Sequence, residues 1–153
     1  MRLPLLGPAL VLAGLLWRGI ALGCDSRIAP GVAVALFAGL LLRKGWAIAA
    51  TLALLLGSAV WEGLFRQHDP FSWNLAWEIA ALPLGGLCGF ALRADPRWWK
   101  IVGVVLVLGF NPGNAASLAA DLGYAVFSLS ALAFVLRAGK RGGAGDGHPF
   151  GAG

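Results

Sequence analysis

Residues 109–137 form one long apolar segment that carries a single carboxylate, Asp121. Ser117, Asp121, Tyr124 and Ser128 follow one another at steps of four, three and four residues. On a helix this spacing places the four side chains on one face, so the segment predicts an apolar helix with one polar stripe. Because exposing an ionisable side chain to lipid is costly, a carboxylate inside such a helix marks a candidate functional site.

The composition of the whole chain favours a membrane protein. Hydrophobic residues make up 59% of its 153 residues and charged residues only 12%, and the mean hydropathy is +0.79. This leaves too little polar surface to coat a soluble globule of this size. No segment alternates apolar and polar residues as the strands of a membrane β-barrel do. The sequence therefore predicts an all-α integral membrane protein.

Six apolar segments predict a bundle of six transmembrane helices. They cover residues 3–22, 30–42, 45–65, 73–92, 98–110 and 112–137. The second and the fifth have only 13 residues each, whereas about 20 are needed to cross a bilayer. These two short segments hold corresponding positions in a 3+3 arrangement, which is typical of transporters with a central binding site.

The two ends of the chain differ in composition from the spans between them. Residues 3–22 resemble a signal peptide, but Arg18 interrupts their apolar run, so we predict a retained first span. Residues 138–153 are Gly-rich and lack apolar periodicity. We therefore predict a transmembrane domain over residues 1–137, followed by a disordered cytoplasmic tail.

The placement of basic residues predicts the orientation of the six spans. Nine of the 12 Lys and Arg residues fall on the side of the two termini, and three fall on the other side. Basic residues accumulate on the cytoplasmic side, so both termini are predicted in the cytoplasm and the chain in a bacterial inner membrane. This orientation accounts for the net charge of +5. No nucleic-acid partner is predicted, because no basic cluster is interleaved with aromatic residues.

Three carboxylates lie inside predicted spans, and all three fall in the outer half. At 1.5 Å per residue, Glu62 lies about 5 Å, Glu78 about 8 Å and Asp121 about 9 Å from the outer ends of their spans. Basic and polar side chains from neighbouring spans and outer loops complete the predicted ligand-binding site: Arg18, Arg27, Asn111, Asn114 and Tyr124. Two interpretations remain open, an outward-facing solute site and a set of structural ion pairs that holds the bundle together.

The chain lacks the residue groups that are typical of catalysis or metal binding. Cys24 and Cys88 do not stand in a Cys-x-x-Cys spacing, and His68 has no companions that would complete a metal site. Glu62, Glu78 and His68 together are too generic a set to indicate a reaction. We therefore predict no enzyme activity, no metal site and no cofactor.

Residues 18–39 resemble a known family. Arg18 is followed by a short loop, Pro30 and the run Val-Ala-Leu-Phe-Ala-Gly at residues 34–39. This pattern resembles the start of small six-helix bacterial membrane proteins related to the substrate-binding (S) components of energy-coupling-factor transporters. The resemblance implies six helices with cytoplasmic termini, a small-molecule or ion ligand bound from the outer face, and a transmembrane coupling subunit with ATPases as a partner. It also implies partner-helix contacts at two Ala-x-x-x-Ala pairs: Ala9, Ala13, Ala49 and Ala53.

Three functional hypotheses from different classes follow. The first is a solute-binding or transport component with an outward-facing polar cavity. The second is a non-catalytic accessory or assembly subunit of a larger membrane complex, which would cover the short spans and the small-residue faces. The third is a membrane enzyme. A channel is a further alternative, suggested by a weak internal similarity between residues 28–36 and 110–118.

Overall fold

The computed structural model describes residues 3–24, 29–65, 73–111 and 115–142. These residues form six α-helices and no β-strand: α1 (Leu3–Gly23), α2 (Val32–Leu41), α3 (Lys44–Phe65), α4 (Trp73–Leu92), α5 (Trp98–Gly109) and α6 (Ala115–Gly142). The prediction of an all-helical chain is confirmed. α6 continues to Gly142, so residues 138–142 are helical although we predicted a disordered tail from residue 138; residues 143–153 lie outside the described part.

Within the residues that the structure describes, three helices are long and apolar enough to cross a membrane. By length and composition these are Leu5–Gly23 in α1, Leu75–Leu92 in α4 and Ala115–Ala138 in α6. The remaining apolar helical stretches are shorter: Val32–Leu41, Lys44–Val60 and Trp98–Gly109. At 1.5 Å per residue, α2 extends over about 15 Å, which is about half of a bilayer core. The six-span bundle and its 3+3 arrangement stay predictions.

α2 lies at the centre of the molecule. It packs against each of the other five helices, and every side chain from Val32 to Ala38 is buried. Its sequence, VAVALFAGLL, contains no polar residue. A helix that is apolar on all sides is typically surrounded by other elements, and α2 follows this rule. On one side the ring of Phe37 meets Tyr124 of α6 edge to face, with 5.8 Å between the ring centroids.

Glycines bring α4 into close contact with α2. A Cβ atom on Gly39 would collide with the carbonyl oxygen of Gly86, and one on Gly89 would collide with the carbonyl oxygen of Leu36. No side chain fits between backbones at this distance, so glycine is required at both positions. The face of α4 that carries Gly86 and Gly89 therefore packs on α2.

The surface of the bundle is apolar, whereas several polar side chains are buried. Large apolar residues are exposed on every long helix, for example Leu12, Leu52, Leu56, Ile79 and Phe134. The buried polar and charged residues are Arg18, Ser58, Asn111, Asp121 and Ser128. This distribution is compatible with insertion into a lipid bilayer, where the outer surface must be apolar and polar groups must find partners inside.

Candidate functional site

The guanidinium of Arg18 is the centre of a polar cluster next to the start of α2. Its Nη2 donates hydrogen bonds to Ser58 Oγ at 2.5 Å and to Glu78 Oε2 at 2.8 Å. Its Nη1 donates to the backbone carbonyl of Pro30 at 3.4 Å. A Cβ atom on Gly31 would collide with Nη1, so the glycine leaves room for the guanidinium. Arg18 thereby joins α1, α3 and α4 to the segment that precedes α2.

The two charges of this cluster differ in their exposure. The side chain of Arg18 is 6% exposed, whereas that of Glu78 is 32% exposed. The Nε of Arg18 is buried and has no hydrogen-bond partner within the described part of the chain. Buried donors without an acceptor are rare in native proteins, and a water molecule or a ligand is the usual explanation. The cluster therefore combines one unsatisfied buried donor with a carboxylate that is still partly exposed.

Asp121 caps the N-terminus of α2 from a distant part of the sequence. Its Oδ1 accepts hydrogen bonds from the backbone nitrogens of Gly31 at 2.8 Å and Ala33 at 2.9 Å. The first N–H groups of a helix have no intrahelical partner, and Gly31, the N-cap residue, has no side chain that could bind them. The carboxylate also lies at the positive end of the helix dipole. Asp121 thus has a structural role that accounts for its burial.

Arg93 caps the opposite end of α2. Its Nε donates to the carbonyl oxygen of Gly39 at 2.7 Å, and its Nη2 donates to the carbonyl oxygen of Leu42. Carbonyl groups of a final helical turn lack intrahelical donors, and a cation is favourable at this negative end of the dipole. α2 is therefore held by an anion at its start and by a cation at its end, each from a different helix or loop.

Tyr124 contacts α1 instead of the cluster. Its hydroxyl donates to the carbonyl oxygen of Leu10 at 2.7 Å. Gly14 makes room for the ring, since a Cβ atom there would lie 2.8 Å from Tyr124 Cε2. The tyrosine is 1% exposed. These contacts give Tyr124 the role of joining α6 to α1.

The structure brings part of the predicted site together. Arg18 and Glu78 form an ion pair, and the Pro30 carbonyl that Arg18 contacts directly precedes Gly31, to which Asp121 is bonded. The three predicted site residues therefore surround the start of α2. Their arrangement combines a structural cap with an ion pair that remains partly accessible.

The remaining predicted site residues divide into two groups. Asn111 is buried directly after α5. Arg27, Asn114 and the side chain of Glu62 lie outside what the structure describes. Their participation in the site stays a prediction, as does the proximity of Glu62 to Glu78.

Two residues that hold this region together were missing from the predicted site. Ser58 precedes Glu62 by four residues, which places the two on one face of a helix, and this spacing could have identified Ser58. Arg93 follows α4 in what reads as an ordinary basic loop. No local pattern indicates that its side chain reaches the end of α2.

The four alanines that the resemblance assigns to partner contacts are all exposed. Ala49 and Ala53 line a groove of about 760 Å³ between α1, α2 and α3. Ala9 and Ala13 lie on α1 and do not line this groove. A partner helix at these positions stays a prediction.

Comparison with protein-family models, with curated proteins and with solved structures gives no match. The function must therefore be argued from the site. Across residues 3–24, 29–65, 73–111 and 115–142, no group of three or more His, Cys, Asp or Glu side chains could hold a metal ion. Cys24 and Cys88 are both free thiols.

Proposed function

We propose that the protein is an integral membrane component that binds a small polar solute from the outer side, as part of a transport system. The observation that carries this proposal is the ion pair between Arg18 and Glu78. A buried ion pair is favourable only when the remaining donors and acceptors are also satisfied. The unpartnered Nε of Arg18 and the partly exposed carboxylate of Glu78 support a polar contact with a solute at this pair.

The positions of the loops support an outward-facing site. Arg93 joins the loop between α4 and α5 to the C-terminal end of α2, so both connections lie at one end of the bundle. This end also carries Arg43, Lys44, Arg97 and Lys100, and such basic ends face the cytoplasm. The Arg18 cluster lies at the other end of α2. In this orientation, with six spans arranged 3+3 and both termini cytoplasmic, the cluster opens outwards.

The chemistry of the cluster limits the class of solute. The Nε of Arg18 is a hydrogen-bond donor, so the solute needs an acceptor that reaches it. Glu78 accepts, so the same solute needs a donor or a positive charge a short distance away. A small polar molecule with both groups fits better than a purely apolar ligand.

A thermal-shift screen of the purified full chain tests this proposal. The probes are vitamins that carry both an acceptor and a donor or positive charge, together with simple amines and divalent metal ions, which lack the acceptor. A bound ligand at 100 times its Kd raises the free energy of unfolding by about 2.7 kcal/mol. We expect wild-type protein to respond to at least one probe, and we expect Glu78→Gln to fold but to lose that response.

A matched control separates loss of the site from loss of any carboxylate. Asp95→Asn removes an exposed carboxylate in the loop before α5, far along the chain from the cluster, and should keep the response of wild type. An equal response in wild type and Glu78→Gln would exclude this site. If Arg18→Met folds and responds to the ligand as wild type does, the guanidinium does not contact the ligand.

The second candidate is a non-catalytic accessory subunit of a larger membrane complex. The exposed small residues on α1 and α3 favour it, since small residues let helices of two membrane proteins approach closely. No thermal response to any solute would support this candidate over the first. Neighbouring genes for ATPases and coupling proteins would favour the transport component, and respiratory or photosynthetic genes would favour the accessory subunit.

A further inference from the structure

A long groove runs along the bundle between α1, α2 and α3, and its lining is almost entirely apolar. Its volume is about 760 Å³. Leu12 and Leu15 of α1 form one side, and Ala49 and Ala53 of α3 form the other. A groove with such walls on a membrane protein is filled by hydrocarbon, whether from lipid or from another helix.

One end of the groove is marked by a basic and an aromatic side chain. Arg43 and Trp46 line this end, and Trp46 is 71% exposed. Tryptophan is typical of the boundary between hydrocarbon and headgroups. The groove therefore follows α3 from Arg43, at the level expected of a membrane surface, as far as Ala53.

No residue that the structure describes balances the charge of Arg43. Arg43 is exposed and forms no ion pair with any residue that the structure describes, and no acidic side chain lines the groove. Asp95, the acidic residue of the loop at the same end, is held by Arg97 and Lys100. The neighbouring Lys44 is also exposed. This end of the groove therefore offers a positive charge at the level of the lipid phosphates.

We propose that the groove binds an acyl chain of an anionic phospholipid, with the lipid phosphate paired to Arg43. Basic positions between membrane helices are typical binding sites for anionic headgroups. Long leucines face small alanines across the groove, and a flexible acyl chain can follow such an uneven wall. The proposal rests on the membrane assignment but not on solute binding.

Native mass spectrometry of the purified full chain tests this proposal. The protein is titrated with phosphatidylglycerol and with phosphatidylcholine of identical acyl chains. We expect wild type to bind phosphatidylglycerol at least fivefold more tightly, which is about the contribution of one basic residue near a lipid phosphate. Arg43→Gln should remove this preference. Arg97→Gln, which removes an ion-paired charge at the same end, should retain it.

A second variant tests the groove rather than the headgroup contact. Ala53→Phe fills the groove and should weaken binding of both lipids at least fivefold. Leu56→Phe, at an exposed position of the same helix that does not line the groove, should bind both like wild type. Glycerol phosphate, which has no acyl chain, should not compete with phosphatidylglycerol.

Several results would overturn the lipid site. Equal affinity of wild type for the two lipids, or an unchanged preference in Arg43→Gln, would exclude the phosphate contact. Competition by glycerol phosphate would indicate a phosphate site without an acyl chain. Dissociation of a dimer by Ala53→Phe, with unchanged lipid binding, would assign the groove to a second copy of the chain. If Ala53→Phe does not fold, the comparison of Arg43→Gln with Arg97→Gln still tests whether Arg43 binds the lipid phosphate.

Discussion

The Oδ1 atom of Asp121 lies 2.8 Å from the backbone nitrogen of Gly31, which is 90 residues earlier in the chain. The carboxylate supplies the cap that a glycine cannot supply itself. In a bilayer the alternative partner, water, is scarce, so an uncapped helix end inside the membrane would be costly. Side chains from other elements therefore bond backbone groups at both ends of α2.

Removing the carboxylate of Asp121 should destabilise the fold more than neutralising it. Asp121→Ala leaves two buried N–H groups without an acceptor, and we expect a loss of about 2 kcal/mol or more in the free energy of unfolding. Asp121→Asn keeps an acceptor oxygen but loses the charge at the helix N-terminus, with an expected cost of about 1 kcal/mol. Denaturant unfolding in detergent, followed by circular dichroism, measures both. If Asp121→Ala lowers the free energy of unfolding no more than the exposed control Asp95→Ala does, Asp121 does not cap α2.

Arg93 should contribute to stability although it stands in a loop. Arg93→Gln removes the charge from the C-terminal end of α2 and weakens two hydrogen bonds, so we expect a loss of about 1–3 kcal/mol. Arg97→Gln removes an arginine of the same loop whose side chain is 62% exposed. Exposed ion pairs of this kind contribute less than about 1 kcal/mol. Equal unfolding midpoints for the two variants would show that Arg93 does not hold α2.

The close contact of α2 with α4 predicts opposite effects for two glycine substitutions. Gly39→Ala forces a Cβ atom against the backbone of Gly86, and we expect a loss of about 1–3 kcal/mol as the helices separate. A Cβ atom on Gly103 of α5 would meet nothing within 4 Å. Gly103→Ala should therefore be neutral or stabilise by up to about 1 kcal/mol. Thermal unfolding of the two variants beside wild type measures this difference, and a stable Gly39→Ala variant would mean that the two helices are farther apart.

The loop before α5 predicts a small dependence of stability on acid pH. The hydrogen bond from Lys100 lowers the pKa of Asp95 below its ordinary value of 3.8, the hydrogen bond from Arg97 acts in the same direction, and desolvation opposes both. Because the pKa is lowered on folding, the contribution is fully present above the ordinary pKa and is lost as pH falls through the folded value. The free energy of unfolding, measured from neutral pH to below 3.8, should fall slightly more steeply with falling pH for wild type than for Asp95→Asn. Identical curves would show that the pair has no effect.

The charge distribution predicts that the end of α6 lies in the cytoplasm. A reporter fused after Arg137 should be active as a cytoplasmic fusion and inactive as an exported one. Activity only outside the cytoplasm would invert the orientation and place the Arg18 cluster on the inner side.

The prediction that the first span is retained implies that the purified protein begins at or near Met1. An intact mass that lacks the first 23 residues, with a lipid on Cys24, would contradict this.

Local patterns were sufficient to predict the helices of this protein. Long apolar runs, interrupted by Pro, Gly and charged residues, indicated six helical segments within a few residues of where α1 to α6 lie. The absence of polar residues in α2 is itself a reason for its central position, since no face of it could be exposed to a polar surface. The pairing of Arg18 with Glu78 could also be predicted from the sequence, because opposite charges inside an apolar bundle are usually paired.

The roles of Asp121 and Arg93 depended on the tertiary arrangement. The same aspartate on the same helical stripe could have faced a solute, a cation or a helix end, and spacing along α6 does not distinguish these partners. The partners are backbone groups of α2, and every residue carries such groups, so no residue type marks them in the sequence. The bounds of α2 decide which N–H and C=O groups remain without an intrahelical partner. Only the packing of α2 among its five neighbours decides which side chains are close enough to bind those groups.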